Sequence, residues 1–194
     1  MSGKSRAGFI ISLAIVVIVV ISLFSWFVGT RNQMVALEER IDASWAEVDN
    51  QLQRRSDLIP NLVETVKGFA SQESEVFTNI ADARAKLAGA KGVQETAEGY
   101  NEMQGALSRL LVVVENYPEL KSNENFIRLQ DELAGTENRI AVARKRYNES
   151  VEQFNRRIRM FPGSIIANMM GMEKQPYFEI EESARDVPDV DFGS

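Results

Sequence analysis

The 194-residue sequence predicts an all-α protein. The expected order is an N-terminal transmembrane helix, an elongated antiparallel bundle of three to four long helices, and an extended acidic tail. Three observations lead there. Residues 7–28 are 22 positions without a charge. Beyond them, apolar residues recur in steps of three and four as far as Phe161. Before residue 175 there is no strand-period alternation of useful length.

The first element follows from length. At about 1.5 Å of rise per residue, a helix over residues 7–28 spans about 33 Å, enough for a bilayer core of about 30 Å. Closing its backbone hydrogen bonds internally lets such a segment sit in lipid. A cleaved signal peptide is the alternative, but its apolar region is normally shorter, and no clear A-x-A-like site follows here. Lys4 and Arg6 crowd the entry to the span, whereas Arg31 and Arg40 are spread along its exit. The positive-inside rule then leans toward a cytoplasmic N-terminus and an extracytoplasmic body on a single-pass protein of the cell membrane. The expected divisions are a basic segment 1–6, an anchor 7–28, a bundle 30–162, an apolar Met-rich segment 163–172 and an acidic tail 173–194.

Charge and composition exclude several classes. Lys4 and Arg6 are the only charges before Arg31, so the remainder holds 20 basic and 28 acidic residues, a net of −8. Nucleic-acid binding needs basic patches, and no nucleic-acid partner is expected. The same acidity argues against a body lying flat on anionic lipid. With no cysteine, disulfides, iron–sulfur ligation and thiol catalysis are excluded. With no histidine, so are H-E-x-x-H zinc sites, Ser-His-Asp triads and Glu-x-x-His di-iron bundles.

The bundle helices are read from their stripes. Met34, Leu37, Ile41, Trp45, Val48, Leu52 and Ile59 form the first, continuing through Leu62, Val66, Phe69, Val76 or Phe77, and Ile80 to Leu87. Pro60 interrupts it, with Asp57 a cap candidate, and the retained phase favours two collinear helices there. Gly89 and Gly92 mark the first turn expected. A second run, from Val93 through Tyr100, Met103, Leu107, Leu110 and Val114, ends at Tyr117-Pro118, since the residue before proline disfavours helix. The longest helix is expected from Asn123 to Met160. Its seam, Phe126, Leu129, Leu133, Thr136, Ile140, Ala143, Tyr147, Val151, Phe154, Ile158 and Phe161, has coiled-coil spacing with one extra four-step. The tail is expected to be extended or disordered, pinned at Tyr177-Phe178 and near Phe192.

Polar residues near the seams are the candidate site. Arg144, Asn148 and Asn155 share one face of the long helix, and Gln130 and Glu137 repeat at seven toward Arg144. Asp49, Arg55, Asp57, Asn61 and Glu64 gather around Pro60. They read either as a groove for a protein partner or as a buried layer fixing helix register. Ile165, Met169 and Met170 are candidate apolar contacts, methionine being suited to adaptable surfaces; the alternative is that Ile165, Ile166 and Met169 cap the end of the bundle. Paired carboxylates such as Glu132 with Glu137, or Asp49 with Glu64, are the thin case for a cation site or acid–base chemistry. Catalytic residues, metal and cofactor are each expected to be absent.

Long motifs then narrow the reading. Trp45, the run from Val48-Asp49 through Gln51-Leu52, Arg54-Arg55 and Asp57-Leu58-Ile59-Pro60-Asn61-Leu62-Val63-Glu64-Thr65-Val66-Lys67-Gly68, and then Tyr117-Pro118, Asn123-Glu124-Asn125-Phe126, Thr136-Glu137-Asn138-Arg139-Ile140-Ala141 and Tyr147-Asn148 resemble the LemA family. Pro188, Val190-Asp191 and Phe192 extend the resemblance to the tail. It covers about residues 30–192 and implies an N-terminal anchor and an antiparallel helical bundle, without any catalytic residue. Phe69 and Ser71-Gln72-Glu73 stand where the pattern often reads Tyr-Ala-x-His-Glu, so a mechanism needing that histidine does not transfer.

The function expected first is a non-enzymatic, membrane-anchored helical scaffold that binds a protein partner in the envelope. A carboxylate-dependent metal-binding or hydrolytic domain is the alternative of another class. Self-association into a membrane-organising structural protein is a third, with the bilayer met through residues 7–28 in every case.

Overall fold

The computed structural model describes residues 3–180, with side chains from residue 9 onward. Among the described residues there are six helices and no strand: α1 Gly3–Lys67, α2 Ser74–Gly89, α3 Gly92–Val114, α4 Pro118–Lys121, α5 Glu124–Arg159 and α6 Gly163–Met169. The chain divides into two compact units. Among the described residues, one takes those up to Asp42 with Ser150–Gln175, the other Ala43–Glu149 with those from Pro176 on. The expected pin near Phe192 lies outside the described residues.

The larger unit is a helical bundle, and an apolar cluster fills part of its core. Ile59, Leu62 and Val66 of α1 join Phe77 and Ile80 of α2, Met103, Leu107 and Leu110 of α3, Leu120 of α4, and Phe126 and Leu133 of α5. Except for Leu120 these are stripe residues of the sequence, with Phe77 rather than Val76 at that step, turned inward because a 3.6-residue period places them on one face; Phe69, expected in the same stripe, is exposed. α2 and α3 approach closely at Gly99, where a Cβ would meet the Leu87 Cα at 2.9 Å. At the start of α5, the Asn123 side chain accepts hydrogen bonds from the backbone N–H groups of Asn125 and Phe126, a helix cap.

Three expectations are corrected. α1 is one 65-residue helix that runs through Pro60 without breaking, and Asp57 is an exposed residue inside it rather than a cap. Proline removes the N–H that would bond to the Ser56 carbonyl. That carbonyl instead accepts from Arg84 Nε of α2 at 3.3 Å, so a side chain supplies the missing donor. The first turn lies between Lys67 and Ser74, not at Gly89–Gly92. Val66, Phe77 and Ile80 hold the core across it, so the apolar phase conceals the break. α5, at 36 residues, is the second longest helix, the first place going to α1.

The smaller unit joins the N-terminal part of α1 to the end of α5 and to α6. From Phe9 to Phe24 the large apolar side chains of α1 are exposed, as a lipid-facing helix requires. Cover begins at Phe27 and Val28, and Thr30, Met34 and Ile41 are buried. On α5, Val151, Phe154 and Ile158 are buried, as are Ile166 and Ala167 of α6. The Arg157 guanidinium donates to the Gln33 side chain at 2.9 Å. A Cβ on Gly163 would lie 2.7 Å from the Arg157 carbonyl and 3.0 Å from the Met34 methyl, so only glycine fits that approach. The seam of α5 stays inward as far as Ile158. Its last member, Phe161, is past the helix end and 80% exposed.

Candidate functional site

The polar residues that meet inside the larger unit are Arg55 of α1, Tyr100 and Gln104 of α3, and Glu137 of α5. Arg55 is buried because its position falls between Leu52 and Ile59 on the inward face of α1. Its Nη1 donates to Glu137 Oε2 at 2.5 Å and to the Leu133 carbonyl at 3.4 Å, and its Nη2 donates to Gln104 Oε1 at 2.6 Å. The Gln104 amide donates to Glu137 Oε2 at 2.7 Å and to the Tyr100 hydroxyl at 3.1 Å. The Tyr100 hydroxyl lies 2.7 and 2.6 Å from the two carboxylate oxygens and donates to Glu137. This arrangement admits one orientation of the Gln104 amide. Arginine only donates and a carboxylate only accepts, so the amide oxygen must face Arg55 and the nitrogen Glu137.

Electrostatically the cluster is closed around the carboxylate. Three side chains donate to Glu137, whose own side chain is 38% exposed against 7% for Arg55. The Tyr100 phenol is pushed far above its ordinary range. Burial is the largest cause, followed by the hydrogen bond to Glu137 and that group's charge, while Arg55 and Arg144 pull the other way. A phenol is protonated near neutrality in any case, and here its O–H is committed to the carboxylate as a donor. The Arg55 guanidinium also lies 5.9 Å from the Tyr100 ring centroid. Among the described residues, two buried side-chain atoms lack partners, Arg55 Nε and Gln51 Oε1.

A second device holds the chain beyond α6. The Asn148 side chain accepts from Phe178 N–H at 2.9 Å and donates to the Phe178 carbonyl at 3.1 Å. A primary amide thereby pairs with a peptide as a neighbouring strand would. Tyr147 adds its hydroxyl to the Pro176 carbonyl at 2.9 Å. Phe178 is buried, with its ring 5.8 Å from that of Trp45 and 6.2 Å from that of Tyr100. In the smaller unit, Asn155 pairs in the same two-way fashion with Gln175, both bonds at 2.9 Å.

The structure therefore brings together only part of the candidate set. Arg55 and Glu137 meet. Arg144 is half-buried and its charge reaches Tyr100. Asn148 and Asn155 bind the returning segment. Asp49, Asp57, Asn61, Glu64 and Gln130 are exposed and take no part in the cluster, Asp57, Asn61 and Glu64 lying on the face of α1 opposite its core stripe and Asp49 on its flank. Ile165 and Met169 are exposed on α6, and Met170 is half-buried. Sequence reasoning missed Tyr100 and Gln104. Tyr100 has the spacing of an apolar seam residue, and the signal available is its partner four residues on, the spacing at which helical side chains meet. Among the described residues no group of three or more aspartates and glutamates is placed to hold a metal ion.

One helix long and apolar enough to cross a membrane, followed by a helical bundle with an internal polar cluster, defines a membrane-associated helical protein. The model of the LemA family matches residues 44–192, and the chain belongs to that family. It is 27% identical to the magnetosome protein MamQ of Magnetospirillum gryphiswaldense, an alignment covering 91% of this chain and 74% of that protein. The magnetosome protein MamQ 2 of Paramagnetospirillum magneticum is similar at 25% identity with the same coverage. Protein LemA of Metamycoplasma hominis is 23% identical over 82% of this chain and 73% of its own length.

Proposed function

We propose that this protein is a non-enzymatic scaffold, anchored by residues 7–28, that binds a protein partner at the cell membrane. The observation that carries this reading is the closure of the Arg55, Gln104, Tyr100 and Glu137 cluster on itself. Its carboxylate is occupied by three donors and its phenol is held neutral, so the cluster joins helices and leaves no acid–base pair poised for chemistry. Register is thus its work, and the surface left for a partner is the outward polar face of α1 with Asp49, Asp57, Asn61 and Glu64, together with Gln130 on α5. The similar magnetosome proteins carry the name of a cellular structure rather than of a reaction, which also supports a scaffold.

The body is placed outside the cytoplasm in this proposal. Lys4 and Arg6 precede the span within a few residues, and charges that close to it weigh most during insertion. Arg156, Arg157 and Arg159 come more than 120 residues after the span in sequence. Long domains translocate largely regardless of such charge.

Charge reversal tests the binding face. With Asp57→Lys and Glu64→Lys combined, the complex isolated from membranes should lose a defined protein component while the melting temperature stays within about 2 °C. An unaltered complex would remove this face from the proposal. A thermal shift of several degrees with Ca²⁺, Mg²⁺ or Mn²⁺ would favour the metal-binding alternative instead.

A further inference from the structure

We propose that the end of the smaller unit made by the last turn of α5 and by α6 is seated on the bilayer, with Met160, Phe161, Ile165 and Met169 in the interfacial region and the neighbouring arginines on lipid phosphates. This rests on the reading of residues 7–28 as the span.

Position is the first argument. Cover on α1 begins at Phe27, inside the apolar run itself, so protein packs against the span before the span has ended. Arg157 reaches Gln33 and Gly163 lies against Met34. Gln33 is five residues past the last apolar position, about 8 Å along the helix. The bend after α5 and the start of α6 are therefore at headgroup depth.

Exposure is the second. Phe161 is 80% and Met169 71% exposed, with Met160 and Ile165 half or more open beside them. Four large apolar side chains clustered over ten residues form a patch of the kind that marks an interaction surface. Phe161 keeps the seam spacing of α5 but leaves the core, because the helix stops at Arg159. Trp26, the aromatic near the end of the span, is also outward, as an interfacial belt residue would be.

Charge is the third, and it selects lipid over a generic apolar partner. The body carries a net −8, yet residues 153–172 hold Arg156, Arg157 and Arg159 with no acid, and Arg31 is the only charge between residues 7 and 37. Arg156 and Arg157 line a groove with Leu37, Gln153 and Met160. Arginine side chains are long enough to reach lipid phosphates from there. The average acidity of the body thus conceals a basic, apolar end where the membrane is.

The absence of cysteine makes the test direct. Full-length protein carrying Phe161→Cys, Met169→Cys, Glu152→Cys or Ile18→Cys is labelled with an environment-sensitive fluorophore. Each is reconstituted in phosphatidylcholine–phosphatidylglycerol vesicles containing lipid with a nitroxide high on the acyl chain. Quenching at 161 and at 169 should exceed that at 152 by at least about threefold, since an interfacial side chain lies roughly 5–10 Å into the headgroup–acyl boundary. Two labelled positions guard against one variant failing to fold. Quenching at 161 and 169 no greater than at 152, with Ile18→Cys quenched, would overturn the patch and leave the span standing. No quenching at Ile18→Cys would remove the span and the patch together. Blue-shifted but unquenched emission at 161 and 169 would show a second copy of the chain in place of lipid and would also overturn the proposal.

Discussion

Arg55 and Glu137, 82 residues apart in the chain, meet with Nη1 and Oε2 2.5 Å apart inside the larger unit. One lies on α1 and the other on α5, and Gln104 of α3 bonds to both. Three helices are thereby linked by one set of charged hydrogen bonds.

Removing Arg55 should be costly. Arg55→Ala strips the carboxylate of its cation and the bundle of a buried side chain. An unpaired, fully buried partner costs about 3–5 kcal/mol, but Glu137 keeps solvent contact, so about 2–3 kcal/mol is expected. Chemical denaturation measures it. A double-mutant cycle with Glu137→Gln should return a coupling of more than about 1 kcal/mol. Additive effects would mean that the pair does not hold the register.

Alkaline pH should expose Tyr100. Its phenol is raised in the folded protein above the ordinary value of about 10, so above pH 10 the unfolded chain loses a proton that the folded one keeps. This contribution is fully present below pH 10 and is lost as the pH rises past it, with a slope approaching about 1.4 kcal/mol per pH unit. Lys86, raised by its hydrogen bond to Glu102, acts in the same direction but is exposed and adds little. Tyr100→Phe should flatten the alkaline limb of a stability-against-pH curve, and an unchanged limb would assign it to other groups.

Gly99 should tolerate no side chain. In Gly99→Ala the new methyl meets the Leu87 backbone rather than a yielding side chain. Overpacking of this kind costs about 1–3 kcal/mol, whereas Gly105→Ala, with open space around it, should be neutral or stabilising by up to about 1 kcal/mol. Comparing the two melts separates crowding from helix propensity.

Asn148→Asp should free the returning segment. A carboxylate still accepts from the Phe178 N–H but no longer donates to its carbonyl, and it repels that oxygen. Chymotryptic cleavage after Phe178 should accelerate by about tenfold or more, the effect of losing about 1.4 kcal/mol or more of local stability. Cleavage at the original rate would show that burial of the Phe178 ring alone secures the segment.

Much of this fold is written in periodicity. The α5 seam from Phe126 to Ile158 is buried except for half-exposed Leu129, because a repeat of three and four defines a face whatever it packs against. What periodicity does not carry is the partner of that face. Arg55 and Glu137 are visible as polar residues near stripes, but their direct meeting, and the bonds that Tyr100 and Gln104 add to it, depend on how α1, α3 and α5 come together. The turn after Lys67 was hidden for the same reason, since Val66, Phe77 and Ile80 stay in phase across it. Asp57, Asn61 and Glu64 looked like companions of Arg55 by proximity in sequence. A helix rotates about 100° per residue, and that carries them to the opposite side. Phe161 continued a seam that the chain itself leaves.

The central claim, a single span with the body displayed outside the cytoplasm, is tested most directly by labelling intact cells with a membrane-impermeant maleimide. Ser2→Cys and Val112→Cys, the latter at a 69% exposed position of α3, are expressed separately. The account predicts labelling at 112 and none at 2. Labelling at 2 without 112 would contradict it and place the bundle in the cytoplasm, and loss of residue 2 from the mature chain would restore the signal-peptide reading in place of the anchor.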